Sequence, residues 1–272
     1  MDSFIQFFEQ MPQWQKLAAV LISLVFFWIL EGGIPLFMFN YKRWKHARVN
    51  LTFLFTAAVI NTVIGITTVG VFEWVSVNQF GIIYLVDFPL WVEFILCIIA
   101  FDLVAQYTAH YILHRVKWLW RFHMVHHADT HVDVTTGPRL HPGDFMLREI
   151  LSIVVVVIMG APLGFYLFYR LATVFFTYFS HANIALPIWL DKALSYIIIT
   201  PNMHKFHHHF ERPWTDTNFG NIFSIWDRLF GTFVYDDPKK IQYGLDVLDP
   251  HKDEDFGYQF KLPFNKSIKT DE

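Results

Sequence analysis

Fourteen histidines stand in this chain of 272 residues, and twelve of them fall between positions 110 and 209. They come in clusters. His110 and His114 are four apart, one helical turn on one face. His123, His126 and His127 follow as HxxHH, and His204, His207 and His208 repeat that pattern. Neither helix propensity nor lipid favours histidine, so this density asks for a chemical reason, and metal ligation is the usual one. Eight imidazoles are too many for one tetrahedral or octahedral ion and suit two ions with four or five each. Imidazole matches zinc, copper, iron and nickel rather than calcium or magnesium. Cys97 is the only cysteine, which excludes an internal disulfide, a thiolate zinc site and an iron–sulfur site. A metal here is held by nitrogen and oxygen.

The rest of the chain has to present those histidines. It is 54% hydrophobic, 19% aromatic and only 17% charged, whereas a soluble domain carries about a quarter charged residues. A net charge of −3 offers no basic field for nucleic acid. Apolar runs predict an all-α, multi-pass membrane bundle of about four spans, capped by a helical, histidine-rich metal site in the cytosol. The spans are expected near residues 15–39, 51–77 and 88–109, with 145–182 as a helical hairpin. That last run, taken as helix, measures about 57 Å, enough to cross and return by turning at Pro162. Residues 1–16 read as an interfacial lead-in, 186–199 as an interfacial or partly buried helix, and the tail from Asp236 as a surface loop or lid edge. No leader cleavage site is expected after the first run. Lys42, Arg43, Lys45 and Arg48 in a short loop mark the cytoplasmic side. Counting spans from there puts 110–144 and 200–240, and so every histidine cluster, on that same side. No repeat or linker divides the chain, so residues 1–272 are expected to form one membrane-embedded domain.

Among the remaining candidates, His131 and His209 stay undecided as further ligands. His46 and His251 are expected at the surface. Asp102, two turns before His110, and Gln106 between them could accept the far N–H of a ligating histidine and so fix its tautomer; for Asp102 a simple helix-packing polar contact is the equal alternative. Asn183, Asn218 and Asp227 are read either as such outer partners or as helix caps, Glu31 and Glu93 as polar groups near the interfaces, and Arg115 and Arg121 as interface anchors. His141-Pro142-Gly143 looks like a haem-binding start, but no such domain follows, so a reductant must be a separate protein.

These residues resemble the membrane-bound fatty acid hydroxylase and sterol desaturase superfamily. The likeness runs through His110–Arg115, Leu119–His127, Thr135–Pro142, His181–Asn183 and His204–His208, then Asn218–Gly220 and Trp226–Thr232, covering roughly residues 95–235. The TTGPRLHP and HANI versions resemble bacterial members and alkylglycerol monooxygenase relatives more than eukaryotic sterol enzymes. The resemblance implies a di-iron oxygenase that uses O2 and an external electron donor. It also implies that His141 and His181 complete the ligand set of His110, His114, His123, His126, His127, His204, His207 and His208. The expected reaction is hydroxylation of an unactivated C–H bond of a fatty acyl, sterol or ether lipid drawn from the bilayer. The cofactor is then two iron ions, with zinc able to take their place on purification. Electrons would come from a ferredoxin- or cytochrome b5-like protein with its reductase. Desaturation by the same site is the nearest alternative. A zinc hydrolase fits imidazole too, but the sequence lacks the HExxH arrangement with its glutamate base. A metal transporter would want ligands deep inside the spans, not after them. Ligation requires unprotonated imidazole, so metal loss and inactivity are expected as pH falls below about 6.

Overall fold

A computed structural model describes residues 2–211 and 214–268. Among them the structure is helical with no strand; its only extended pairings are isolated bridges of Pro35 with Ile184 and Ile198 with Phe223. The helices are α1 (Asp2–Gln10), α2 (Gln13–Gly33), α3 (Arg43–Asn78), α4 (Leu90–Arg115) and α5 (Lys117–His127). After these come α6 (Pro142–Met159), α7 (Leu163–His181), α8 (Ile188–Leu194), α9 (Pro201–His207), α10 (Ile225–Leu229) and α11 (Phe256–Lys261).

Among the described residues three helices are long and apolar enough to cross a membrane by length and composition: α2, α3 with its continuation to Tyr84, and α4. They keep large apolar side chains outside, such as Ile22, Val25 and Ile29 on α2 and Phe55, Val63 and Ile66 on α3. A helix that is apolar on its outer side belongs in lipid. The chain is thus a membrane protein in composition and shape. α3 differs from expectation at its start. Nothing between Arg43 and Leu51 breaks a helix, so the basic loop is instead the first turns of a 36-residue rod. At 1.5 Å per residue that rod is about 54 Å long, well beyond a hydrocarbon core of about 30 Å.

The 145–182 hairpin forms as α6 and α7, turning at Gly160, Ala161 and Pro162. Gly160 closes α6 at φ 77, left-handed backbone that costs glycine little. A Cβ on Gly81 would stand 2.2 Å from the Gly160 nitrogen. The hairpin tip is therefore pressed backbone to backbone against the turn after α3, and neither glycine tolerates a side chain. The arms fall outside the three apolar spans; Arg148, Glu149 and Arg170 interrupt them, and the Arg170 guanidinium pairs with Glu149. Phe101, Val156, Phe165 and Tyr169 pack the core between α4, α6 and α7. Where α4 lies in lipid, that core is held by van der Waals packing between helices and not by removal from water.

Residues Phe101–Thr108 wind as a π-helical stretch within α4, just before His110. Such stretches in longer helices often mark functional sites. The tail does not lie loose on the surface. Leu248, Leu262 and Ile268 bury against Val49, Phe53, Met124 and Val125, and the Arg121 guanidinium is caged by the carbonyls of Pro263, Asn265 and Ile268. Apolar residues spaced through a polar tail supplied that docking face, which average polarity concealed. Arg121 is accordingly an internal clamp and not an interface anchor.

Candidate metal centre

The HxxxH pair ends α4, the first HxxHH lies in the last turns of α5, and the second runs from the last turn of α9 onto its C-cap, His208. Helical spacing turns each set of rings to one side, and the three sides meet. His110, His114, His123, His127 and His207 form one group, and His126, His181, His204 and His208 another. Within each group one ring nitrogen per residue lies within 4.8 Å of all the others, and all nine side chains are buried. The groups share a wall, where the His127 and His208 rings stack at 4.7 Å and 26°.

The contacts fit metal ligation. His110 Nε2 is 2.9 Å from His123 Nε2, which is 3.2 Å from His127 Nε2. In the second group His181 Nε2 stands 3.0, 3.0 and 3.2 Å from Nε2 of His126, His204 and His208. Ligand nitrogens bonded to one ion at about 2.0–2.1 Å stand about 3.0 Å apart when neighbouring bonds are at right angles. The opposite nitrogens explain why Nε2 points inward. His110 Nδ1 donates to the Phe219 carbonyl at 2.9 Å, His207 Nδ1 to Thr217 O at 2.7 Å and His181 Nδ1 to Thr177 O at 2.7 Å. His114 Nδ1 meets Asp216 Oδ1 at 3.2 Å, and His123 Nδ1 meets Asp144 Oδ2 at 2.5 Å. A proton held on Nδ1 leaves the Nε2 lone pair for a metal. His207 Nε2 is buried with no hydrogen-bond partner among the described residues, as a ligand atom would be.

Burial, and then the neighbouring imidazoles, hold His123, His126, His127, His204 and His208 well below the usual histidine range. His207 is held down at about 3. The rings are therefore neutral across physiological pH, the form that binds metal.

Nine of the ten histidines expected as ligands come together, and His141 does not. Its Nδ1 accepts from the Gly143 N–H at 3.0 Å, capping α6, and its Nε2 lies 3.2 Å from the Phe260 carbonyl. Both nitrogens are thus engaged, and Pro142 fixes the residue as a helix start. His131 stacks on Tyr41 at 4.9 Å, and His209 Nδ1 accepts from Gln242 N; neither joins a group. Asp102 touches no histidine. Its carboxylate accepts from Tyr169 OH, Trp226 Nε1 and the Ile222 and Phe223 N–H groups, and Gln106 accepts from Arg148. Asp102 thereby anchors the 219–226 loop, helped by Asp227, which binds the Phe219 and Gly220 N–H groups. That loop aims the Phe219 carbonyl at His110. Asn218 bonds Met203 O and Val234 O, and Asn183 joins Phe37.

The carboxylates that do reach ligand histidines, Asp144 and Asp216, were not foreseen. Asp144 lies three residues past His141 and facing α5, so helix packing was the only signal for it. His46 also departs from expectation. It is fully buried, with Nε2 at 3.1 Å from Asn50 Nδ2 and 3.4 Å from Asp129 Oδ2. His251 stays exposed.

A family model described as fatty acid hydroxylase matches residues 94–232. The chain belongs to the fatty acid hydroxylase family. Its similarity to an ornithine lipid hydroxylase of Rhizobium tropici is 33% identity over 47% of this chain and 38% of that protein. With human alkylglycerol monooxygenase it is 27% identity over 51% of this chain and 30% of that protein. A cholesterol 25-hydroxylase-like protein of Caenorhabditis briggsae is 28% identical over 62% of this chain and 55% of its own length. The chain thus spans about a third to a half of the relatives it matches. No solved structure matches it.

Proposed function

We propose that this family member is an O2-dependent oxidoreductase that hydroxylates a C–H bond in a membrane lipid, with two iron ions seated in the two imidazole groups. The observation that carries the reading is the pair of all-nitrogen groups sharing the His127–His208 wall, with His110 and His114 closing α4, a helix long and apolar enough to span a bilayer. Relatives named as lipid hydroxylases and monooxygenases support the reaction class. Iron bound there would supply the O2-activating, electron-accepting chemistry that an unactivated C–H bond requires.

The chain's own residues do the positioning. Nδ1 contacts keep the Nε2 lone pairs aimed inward, and burial keeps the imidazoles unprotonated. Burial of every ring also excludes bulk water, which would divert a reactive oxidant. His110 and His114 close a membrane helix and His181 closes the hairpin, so a lipid chain arrives from the apolar side. The basic start of α3 packs against the segment that follows the α5 histidines, through Asn50, Asp129 and Thr135. By charge bias that end is cytoplasmic, where a separate one-electron donor protein supplies reductant.

Lipid mass spectrometry after incubating the iron-loaded, chemically reduced protein with bilayer lipids under 18O2 tests this. Labelled hydroxyl in a lipid product is expected. A new double bond without label would assign desaturation in its place, and turnover without O2 would overturn oxygenase chemistry altogether.

A further inference from the structure

The two imidazole groups are braced unequally. In the five-histidine group four Nδ1 atoms meet an acceptor, and two of those acceptors are carboxylates, Asp144 and Asp216. In the four-histidine group only His181 is braced, by a neutral carbonyl. The Nδ1 atoms of His126, His204 and His208 are buried and have no hydrogen-bond partner among the described residues. A ring whose outer nitrogen is tied to an acceptor keeps one tautomer and one orientation, and a carboxylate also raises the basicity of its inner nitrogen. Unbraced rings are free to rotate or to lose their alignment when no ion holds them.

Asp144 is the strongest brace. It is fully buried, and its Oδ2 is 2.5 Å from His123 Nδ1. Its other oxygen is held by Arg148 Nε at 2.8 Å, and Arg148 Nη1 is fixed in turn to Gln106 Oε1 at 3.0 Å. Gln106 belongs to the π-helical stretch of α4, so the relay ties α4, α5 and α6 together behind one ring. His123 is also the ring whose Nε2 contacts both His110 and His127. Its orientation therefore governs that of its neighbours.

We infer that the five-histidine position retains its ion firmly while the four-histidine position exchanges, and that Asp144 is the positioning residue that sets the difference. The inference rests on the metal centre proposed above. Outer partners of this kind typically change metal affinity by about 10–100-fold.

The experiment uses zinc, which has no redox chemistry to confuse the count. The full chain in detergent is loaded with zinc, challenged with a chelator, and sampled over time for bound metal. Two phases are expected, one equivalent leaving fast and one slowly. Asp144→Asn should weaken retention of the slow equivalent about 10–100-fold and leave the fast phase alone. Arg148→Gln should shift the slow phase in the same direction by less, and it carries the test if the Asp144 variant fails to fold. His126→Ala should abolish the fast phase only. A single phase in the parent protein overturns the inference, as does a fast phase that responds to Asp144→Asn while the slow one does not. A folded protein that takes up no zinc overturns the metal centre itself, which separates the two failures.

Discussion

Replacing Arg139 with methionine tests whether the support behind the metal centre is electrostatic or merely packed. Arg139 is fully buried. Its Nε donates to Val125 O at 2.9 Å, Nη1 to Asn50 Oδ1 at 3.1 Å and Nη2 to Asp253 O at 2.8 Å, with Asp129 Oδ2 at 3.9 Å. Methionine fills much of the same space but leaves those acceptors without their donor and the buried Asp129 carboxylate without its guanidinium. Removing one member of a buried charged pair costs about 3–5 kcal/mol. Against a total stability of about 5–15 kcal/mol, that is a large fraction. Burial opposes ionisation of Asp129, but His46, Arg139 and its hydrogen bonds outweigh burial and hold its carboxyl down at about 2. An acid held below its unfolded value of about 3.9 stabilises the fold above that pH and loses the contribution as pH falls towards 2, about 2–3 kcal/mol in all. Arg139→Met should raise that carboxyl and shrink the acid-sensitive term. Thermal unfolding in detergent, run as a cycle with Asp129→Asn at neutral and acid pH, measures both. A loss below about 1 kcal/mol, or strictly additive single losses, would refute the reasoning.

Other outcomes follow from the same geometry. His141→Ala should keep both metals by elemental analysis and lose about 1 kcal/mol with the α6 cap, whereas His181→Ala should lose the four-histidine metal; metal lost equally in both would contradict the grouping. Asp102→Ala strands four buried donors, each costing about 1–3 kcal/mol, and should lower both melting temperature and metal content by releasing the loop behind His110. For metal-free protein the sign runs through histidines held below their unfolded value: the unfolded chain gains protons near pH 6.5 and the folded one does not. Its stability should therefore fall steadily as pH drops from about 6.5, seen as a declining melting temperature. With zinc bound, the same burial should keep the ligands unprotonated at pH 5, which revises the limit of about pH 6 expected from the sequence; elemental analysis after dialysis decides it.

The histidine spacing made the centre legible because a helix converts i, i+3 and i+4 into one face, and three such faces can be read without knowing how they meet. The apolar runs and the Gly160–Pro162 turn were legible for the same local reason. What stayed hidden depends on contacts between distant parts of the chain. Asp216 reaches His114 across 102 positions, and Asn50 reaches Asp129 across 79. His46 looked solitary because its partners lie on another element. Asp102 stayed open between a histidine partner and a packing contact because its distance along the helix from His110 was clear, whereas the loop that claims its oxygens was not. His141 misled because an imidazole nitrogen can accept a backbone N–H at a helix start as readily as it can ligate a metal.

The stretch matched to the family, residues 94–232, is not a self-sufficient body. Two of its guanidiniums are answered from beyond its edges: Arg139 by Asn50 before it and Asp253 after it, and Arg121 by three carbonyls of the last described turn. Cut out or grafted between relatives, the reactive segment would carry two guanidiniums stripped of partners at the back of its own histidine helix, Arg121 of three carbonyls and Arg139 of Asn50 and Asp253. The portable unit in this protein is the segment together with both flanks.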